Sequence, residues 1–159
     1  MTAFGTIPPE PPRISSLDDV ALQFRDAILA VLAEIPDAMV YESLRTDARQ
    51  AWLYGFGRQY DDGRGIVTHA ETADHGWHKF GCAADLIHRT KQWDAGDEWF
   101  ANLGAVGKAN GLTWGGDWQM RDLPHLQWGK CRPAPSQEAM TLYASGGNPA
   151  VWYAVGANA

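Results

Sequence analysis

The chain has 159 residues, enough for one domain with a real core but too few to join an enzyme to a separate binding module. Its formal net charge of -6, with no basic run, argues against nucleic acid and anionic membranes as partners. No apolar stretch approaches the roughly 20 residues of a membrane span, and the first residues lack the charged start and apolar segment of a signal peptide.

Residues 1–13 contain Pro-Pro-Glu-Pro-Pro, which suits neither a helix nor a sheet interior, and are predicted to form an extended arm before a single domain over 14–159. Ser16 with Asp19 is an N-cap signal, and Val20, Phe24, Ala27, Ile28, Val31 and Ile35 then recur at helical spacing until Pro36. Residues 38–44 read as a short strand leading to Arg45. Thr46 caps a second predicted helix over 47–57, with Ala48, Trp52 and Leu53 on its inner side. Residues 60–76 are rich in Gly, Asp, Thr and His without periodicity, and a long loop of this kind is commonly functional.

Further on, 82–88 is a predicted strand and 95–111 a helix closed by Gly111. Residues 112–118 and 125–128 read as two more strands joined by a turn. Ser136 caps a last helix over 136–144, before a Gly-Gly-Asn-Pro break and a short apolar tail. Eight tryptophans suit a core built on large aromatics or the walls of a groove for an extended ligand. Cys82 and Cys131 are too few for a disulfide scaffold and are not a CxxC pair, which leaves two buried thiols or one bridge.

The stretch HGWHKFGCAADLIH, residues 75–88, concentrates metal-binding chemistry. His78 and Asp85 lie seven apart. On a helix that is about 10 Å along the axis, and on a straight strand the odd spacing sends them to opposite faces. A bend must bring them together, and Gly81 permits one. On the strand that follows, Ala83, Asp85 and Ile87 share a face while Cys82, Ala84 and His88 take the other, which sets Cys82 and His88 apart from Asp85. His75 sits where it can line a cleft. Downstream, Asp122 precedes His125 by three, with Pro124 supplying a local bend. A hydrolytic metal site needs a third ligand and a group that moves the proton of the attacking water, and this pair offers both. Taken alone, each half also fits a hydrogen-bonded histidine beside an ordinary aspartate.

Together the array H-x-x-G-x-A-x-D at His78, Gly81, Ala83 and Asp85 and the D-x-P-H at Asp122–His125 resemble the LAS-type zinc peptidases of bacterial cell walls. That family includes D-alanyl-D-alanine carboxypeptidases and L-alanyl-D-glutamate endopeptidases. The segment YESLRTDARQAWLYGFGR also looks like the family's arginine followed by a Gln-containing helix, and WGGDW like the strand before its second motif. The resemblance runs from about Met39 to Trp128. It implies an α+β fold: a small antiparallel sheet, helices packed mainly on one side, and a zinc site in a groove on the sheet. It further implies that His78, Asp85 and His125 hold one zinc ion, that Asp122 is the general acid/base, and that Arg45 polarises the scissile carbonyl or steadies the oxyanion.

Two departures refine this. Gly76 stands where the family usually has Ser, which touches a substrate or ligand-orienting hydrogen bond and not the metal. Asp122 in a D-x-P-H context, where the carboxypeptidase branch more typically carries Glu, points to the endopeptidase branch and so to the L-alanyl-D-glutamate bond of the peptidoglycan stem peptide. The alternatives are D-alanyl-D-alanine carboxypeptidase and a zinc-stabilised binding domain without catalysis. Asp117 reads as a turn-forming or ligand-orienting residue, and Trp77, Trp114, Trp118 and Trp128 as core or groove wall. The expected working form is a monomer that engages the stem peptide and neither nucleic acid nor membrane. It is expected to be made in the cytoplasm and to act in the periplasm or cell wall after holin-type release or dedicated secretion. A Cys82–Cys131 bridge would suit that destination.

Overall fold

The computed structural model describes residues 3–157, so Met1 and Thr2 of the expected arm lie outside the described residues. Four helices, α1 (Leu22–Glu34), α2 (Asp47–Gly55), α3 (Asp97–Ala109) and α4 (Gln137–Ala154), accompany four strands, β1 (Ala38–Glu42), β2 (Ala83–His88), β3 (Leu112–Trp114) and β4 (His125–Trp128). The strands form one antiparallel sheet in the order β1-β2-β4-β3. The fold is α+β, as the resemblance implies.

Residues paired across antiparallel strands share a face, so the register divides the sheet into two surfaces. Ala84 pairs with Leu126 and Leu126 with Trp114, while Val40 pairs with Leu86. This face is apolar, and it shares one core with Phe24, Ile28 and Val31 of α1, Phe100 and Leu103 of α3 and Val151 of α4. On the opposite face Glu42 pairs with Asp85 and Asp85 with His125, which sets three ionisable side chains in a row across β1, β2 and β4. A bulge between Val40 and Glu42 makes that row, because it advances β1 by one residue and puts Glu42 where Tyr41 would otherwise face Asp85. α2 lies over this polar side. Its Arg49 reaches Glu42 (Nε to Oε2, 2.8 Å), and its Trp52, Leu53 and Phe56 form a small separate cluster with Tyr60.

Several element ends differ from the sequence expectation. Helix α1 begins at Leu22, not at Ser16, because Ser16 Oγ accepts from the Asp18 N–H in a local turn and the Ala21 N–H is drawn to the Gly81 carbonyl at 2.9 Å. Thr46 does cap α2, accepting from the Arg49 N–H. Ala48, however, is exposed, and Arg49 and Gln50 take the inner side because the polar face of the sheet offers them partners. Residues 115–117 form a turn of 3-10 helix and not more strand. The Gly-Gly-Asn-Pro break falls where expected, with Gly147 at φ 67° outside the helical range within α4; what differs is the apolar tail, which resumes as helix with Trp152 donating to the Phe80 carbonyl at 2.6 Å. That second half buttresses the turn that carries His78.

The arm is tied along α2. The Gly5 N–H donates to the Gln59 carbonyl, the Trp52 indole to the Pro8 carbonyl, and Arg49 Nη1 to Glu10 Oε1. Among the described residues, no helix is long and apolar enough to cross a membrane.

Candidate metal centre

His78 sits on the turn between α2's loop and β2, where the chain doubles back. Gly81, at φ 66°, makes the reversal. The fold then places His78 beside Asp85, with His78 Nε2 3.4 Å from Asp85 Oδ1. His125 arrives from β4 with its Nδ1 3.5 Å from the same oxygen. Candidate ligand atoms of the three residues all lie within 4.8 Å of one another, and all three residues are buried.

The remaining ring nitrogens decide what this cluster can hold. His78 Nδ1 lies 2.8 Å from the Ser43 carbonyl. A carbonyl only accepts, so Nδ1 carries a proton, and Nε2 is the ring nitrogen that His78 turns toward Asp85. His125 Nε2 lies 2.9 Å from Gln127 Oε1 and donates to it in the same way, which frees Nδ1. Two ring nitrogens and a carboxylate oxygen thus converge, and Asp85 Oδ1 is buried with no hydrogen-bond partner among the described residues. Electron-rich groups so arranged need a cation between them. Two imidazoles and one carboxylate are a donor set suited to zinc, with room left for a fourth ligand. These residues fit the implied metal.

The electrostatics show the same demand for positive charge at this point, whether a cation or protonated imidazoles supply it. Burial would raise the Asp85 carboxyl, but His78 and His125 outweigh it and hold it well below the usual carboxylate range. Burial likewise opposes the charged form of His125, yet Asp85 and Asp122 raise its pKa. Asp122 moves the other way. Desolvation in the cleft wall and then the negative Asp85 push it above the ordinary carboxylate value, while 48 % of its side chain stays open to solvent. Its Oδ2 lies 3.8 Å from His125 Nδ1, at the mouth of the cluster. Gly115 makes that position possible: a Cβ there would fall 2.5 Å from the Asp122 carbonyl oxygen. The backbone carbonyl of Gly115 instead accepts from the Asp122 N–H at 2.9 Å.

Arg45 borders the site from the β1 side. Its Nη2 is 2.8 Å from Glu42 Oε1 and 3.4 Å from Asp85 Oδ2, and its Nη1 donates to Gln50 Oε1 at 3.0 Å. Gln50 passes the constraint on to the long loop through the Ala70 carbonyl, 2.7 Å from its Nε2. Arg49, fully buried, closes the series Glu10–Arg49–Glu42–Arg45. The cleft above these groups encloses about 320 Å³ and is walled by Trp77, Trp93 and Trp118 among others.

The five residues singled out from the sequence, Arg45, His78, Asp85, Asp122 and His125, therefore line one cleft. His75 lines it too, whereas His88 faces Asp37 at the far end of β2. Asp117 pairs with Lys108 on the surface and orients no ligand, because the 3-10 turn points it outward. Trp114 and Trp128 belong to the core, Trp118 to the cleft wall, and Trp77 to both. Cys82 and Cys131 are free thiols, both buried, and Cys82 has its titration pushed up by its neighbour Cys131 and by burial. A Cβ at Gly76 would meet nothing within 4 Å, so the missing hydroxyl leaves open space at the cleft edge. Sequence reasoning gave no role to Gln127, Glu42 or Trp93. The signal for Gln127 is in the sequence, since it lies two residues from His125 on a strand and hence on its face.

Residues 69–128, which span both motifs, match a peptidase family model described as D-alanyl-D-alanine carboxypeptidase. The fold is similar to that of the L-Ala D-Glu endopeptidase ChiX of Serratia marcescens, with TM-score 0.54 at 20% identity over 74% of this chain and 90% of that one. The chain resembles the LAS-type peptidases. That resemblance rests on the two motifs and on the antiparallel sheet that places them. Within such a peptidase frame, the row Glu42–Asp85–His125 and the turn bearing His78 supply the walls of the site.

Proposed function

We propose that this protein is a zinc-dependent peptidoglycan peptidase that cuts the L-alanyl-D-glutamate bond of the stem peptide. The observation that carries the reading is the convergence of His78 Nε2, His125 Nδ1 and the unpartnered Asp85 Oδ1 beneath a half-open Asp122. The matched peptidase family model and the endopeptidase fold support it from outside the site.

When bound, zinc supplies Lewis acidity, acidifying water and drawing charge from a carbonyl. Asp122, whose pKa is raised toward the working range of a proton carrier, takes the proton of the attacking water and returns it to the departing amine. Arg45, fixed by Glu42 and Gln50, presents a permanently charged fork to the oxygen that gains negative charge. Gln127 and the Ser43 carbonyl hold the two imidazoles in their ligating tautomers. The aspartate base, in place of the glutamate more typical of carboxypeptidases in this family, favours the endopeptidase bond.

Digestion of purified peptidoglycan followed by mass spectrometry of the fragments tests the proposal. Muropeptides with a new D-Glu N-terminus are expected, lost with a chelator and regained with zinc. Free D-Ala without that terminus would replace the bond with the carboxypeptidase one, and no fragment at all would overturn the peptidase reading.

A further inference from the structure

Six of the eight tryptophans donate their indole N–H to a protein oxygen: Trp52 to Pro8, Trp77 to Arg132, Trp99 to Asp37, Trp114 to Leu123, Trp128 to Val155 and Trp152 to Phe80. Trp93 and Trp118 donate to none among the described residues, and both border the cleft. Trp118 is explained by its contact with the ligand His125, ring centroids 5.0 Å apart. Trp93 is not. It is 47% exposed, a large ring left open to water where it borders the cleft.

The chain goes to some length to hold it there. Gln92, just before it, has φ 52°, the one positive value for a non-glycine among the described residues, and such a conformation costs about 1–3 kcal/mol. The turn is pinned by His88, whose Nδ1 accepts from the N–H groups of Thr90 and Lys91, and by the Gln92 N–H donating to the His88 carbonyl at 2.9 Å. The Trp93 ring is fixed edge-on against Tyr41, centroids 4.7 Å apart, and Tyr41 is held in turn by the Arg13 guanidinium 3.9 Å over its face. Strain and exposure are thus kept at one rigid aromatic surface.

Its place suggests what it meets. Trp93 lines the metal cleft and also an adjoining hollow of about 500 Å³, and Arg45, Leu53, Val67 and Asp85 line both as well, so the two make one groove. The three guanidinium groups that line the hollow already have carboxylate partners: Arg64 has Asp62, Arg49 has Glu42 and Glu10, and Arg45 has Glu42 and Asp85. An anionic peptide would find no unpaired guanidinium here, and what Trp93 offers the hollow is an aromatic ring and an indole N–H that no protein oxygen among the described residues takes. A pyranose ring complements both, because its C–H face packs on an aromatic ring while its hydroxyl and acetamido oxygens accept from an indole.

We propose that Trp93 is the platform for the amino sugar to which the stem peptide is attached. This rests on the peptidase reading above. In peptidoglycan the sugar's lactyl group is joined to the amine of L-Ala, so the ring lies next to the residue whose carbonyl is attacked. The enzyme therefore reads the glycan-linked end of its substrate.

The test compares kcat/KM of the zinc-loaded enzyme on an N-acetylmuramyl tetrapeptide and on the same tetrapeptide carrying only an N-acetyl cap. The sugar-linked substrate is expected to be preferred, mainly through KM. Trp93→Ala should cut the ratio of the two constants by about tenfold, the worth of one good aromatic contact, and Trp93→Phe should restore much of it. Equal rates on both substrates for the wild type, or equal losses on both in Trp93→Ala, would overturn the sugar site while leaving the peptidase reading in place. Failure of the wild type to cut either substrate would remove the peptidase reading, and the inference with it.

Discussion

The two faces of the sheet are buried to the same degree and composed in opposite ways. On one, Ala84, Leu86 and Leu126 are fully buried among helix side chains. On the other, Glu42, Asp85, His125 and Gln127 are between 1% and 9% exposed, yet each carries polar or ionisable atoms. The apolar face is stabilised by the area it removes from water and tolerates small changes of shape. The polar groups of the other face gain nothing from burial in themselves, and each must be matched by a specific partner. Glu42 has two arginines, His78 a carbonyl and His125 a glutamine, while Asp85 Oδ1 is left for a cation. One face makes the protein fold and the other makes it selective for what enters the cleft.

Substitutions separate the two faces most sharply when they remove one function and spare the other. The largest effect is expected from Asp85→Asn, which takes away the charge that draws a cation between the two histidines. Zinc retained after dialysis, measured by atomic absorption, should fall to background, and hydrolysis with it; full zinc occupancy would break the assignment. Asp122→Asn comes next. It should keep zinc and lower kcat by about 10²–10⁴-fold, the usual range for a lost general acid/base. Unchanged kcat would remove Asp122 from the mechanism. On the opposite face, Leu126→Ala should cost about 2–5 kcal/mol of stability by urea unfolding, while the native fraction binds zinc as the parent does. A variant that folds well but loses zinc would show that the two faces are not separable.

The elements of the fold were legible because their signals are local. Thr46 caps α2, the 3.6-residue spacing of Phe24, Ile28 and Val31 marks α1, and the residues of β2 alternate as read. What was misread depends on groups distant in sequence. The Ser16 cap loses to the pull of the Gly81 carbonyl on Ala21, and Arg49 and Gln50 displace Ala48 from the inner side because Glu42 and the 68–70 loop are there to receive them. The candidate site was legible for another reason: spacing alone left each half open to an ordinary histidine beside an aspartate, and the resemblance of the two motifs to a known family joined His78, Asp85, Asp122 and His125, which the structure brings to one cleft. The bulge that sets Glu42 beside Asp85 leaves no mark in composition, and neither does the aim of Trp93.

The smallest predicted effect tests how far the polar face depends on partners outside the His78–Asp85–His125 cluster. Gln127 pairs across the strands with Ala83 and Thr113, is 1% exposed, and accepts from His125 Nε2 while donating to the Arg132 carbonyl at 3.1 Å. That carbonyl also accepts from Trp77, so losing Gln127 leaves it satisfied, whereas the His125 N–H has no other acceptor among the described residues. Gln127→Leu keeps the volume but lets the imidazole rotate or change tautomer, and zinc affinity should fall by about 10–100-fold. Gln127→Glu keeps an acceptor in the same place and should recover most of the loss in a competitive chelator titration. Equal affinity in the leucine variant would mean that packing against Trp118 alone orients His125, and the polar face would then need fewer matched partners than its hydrogen bonds imply.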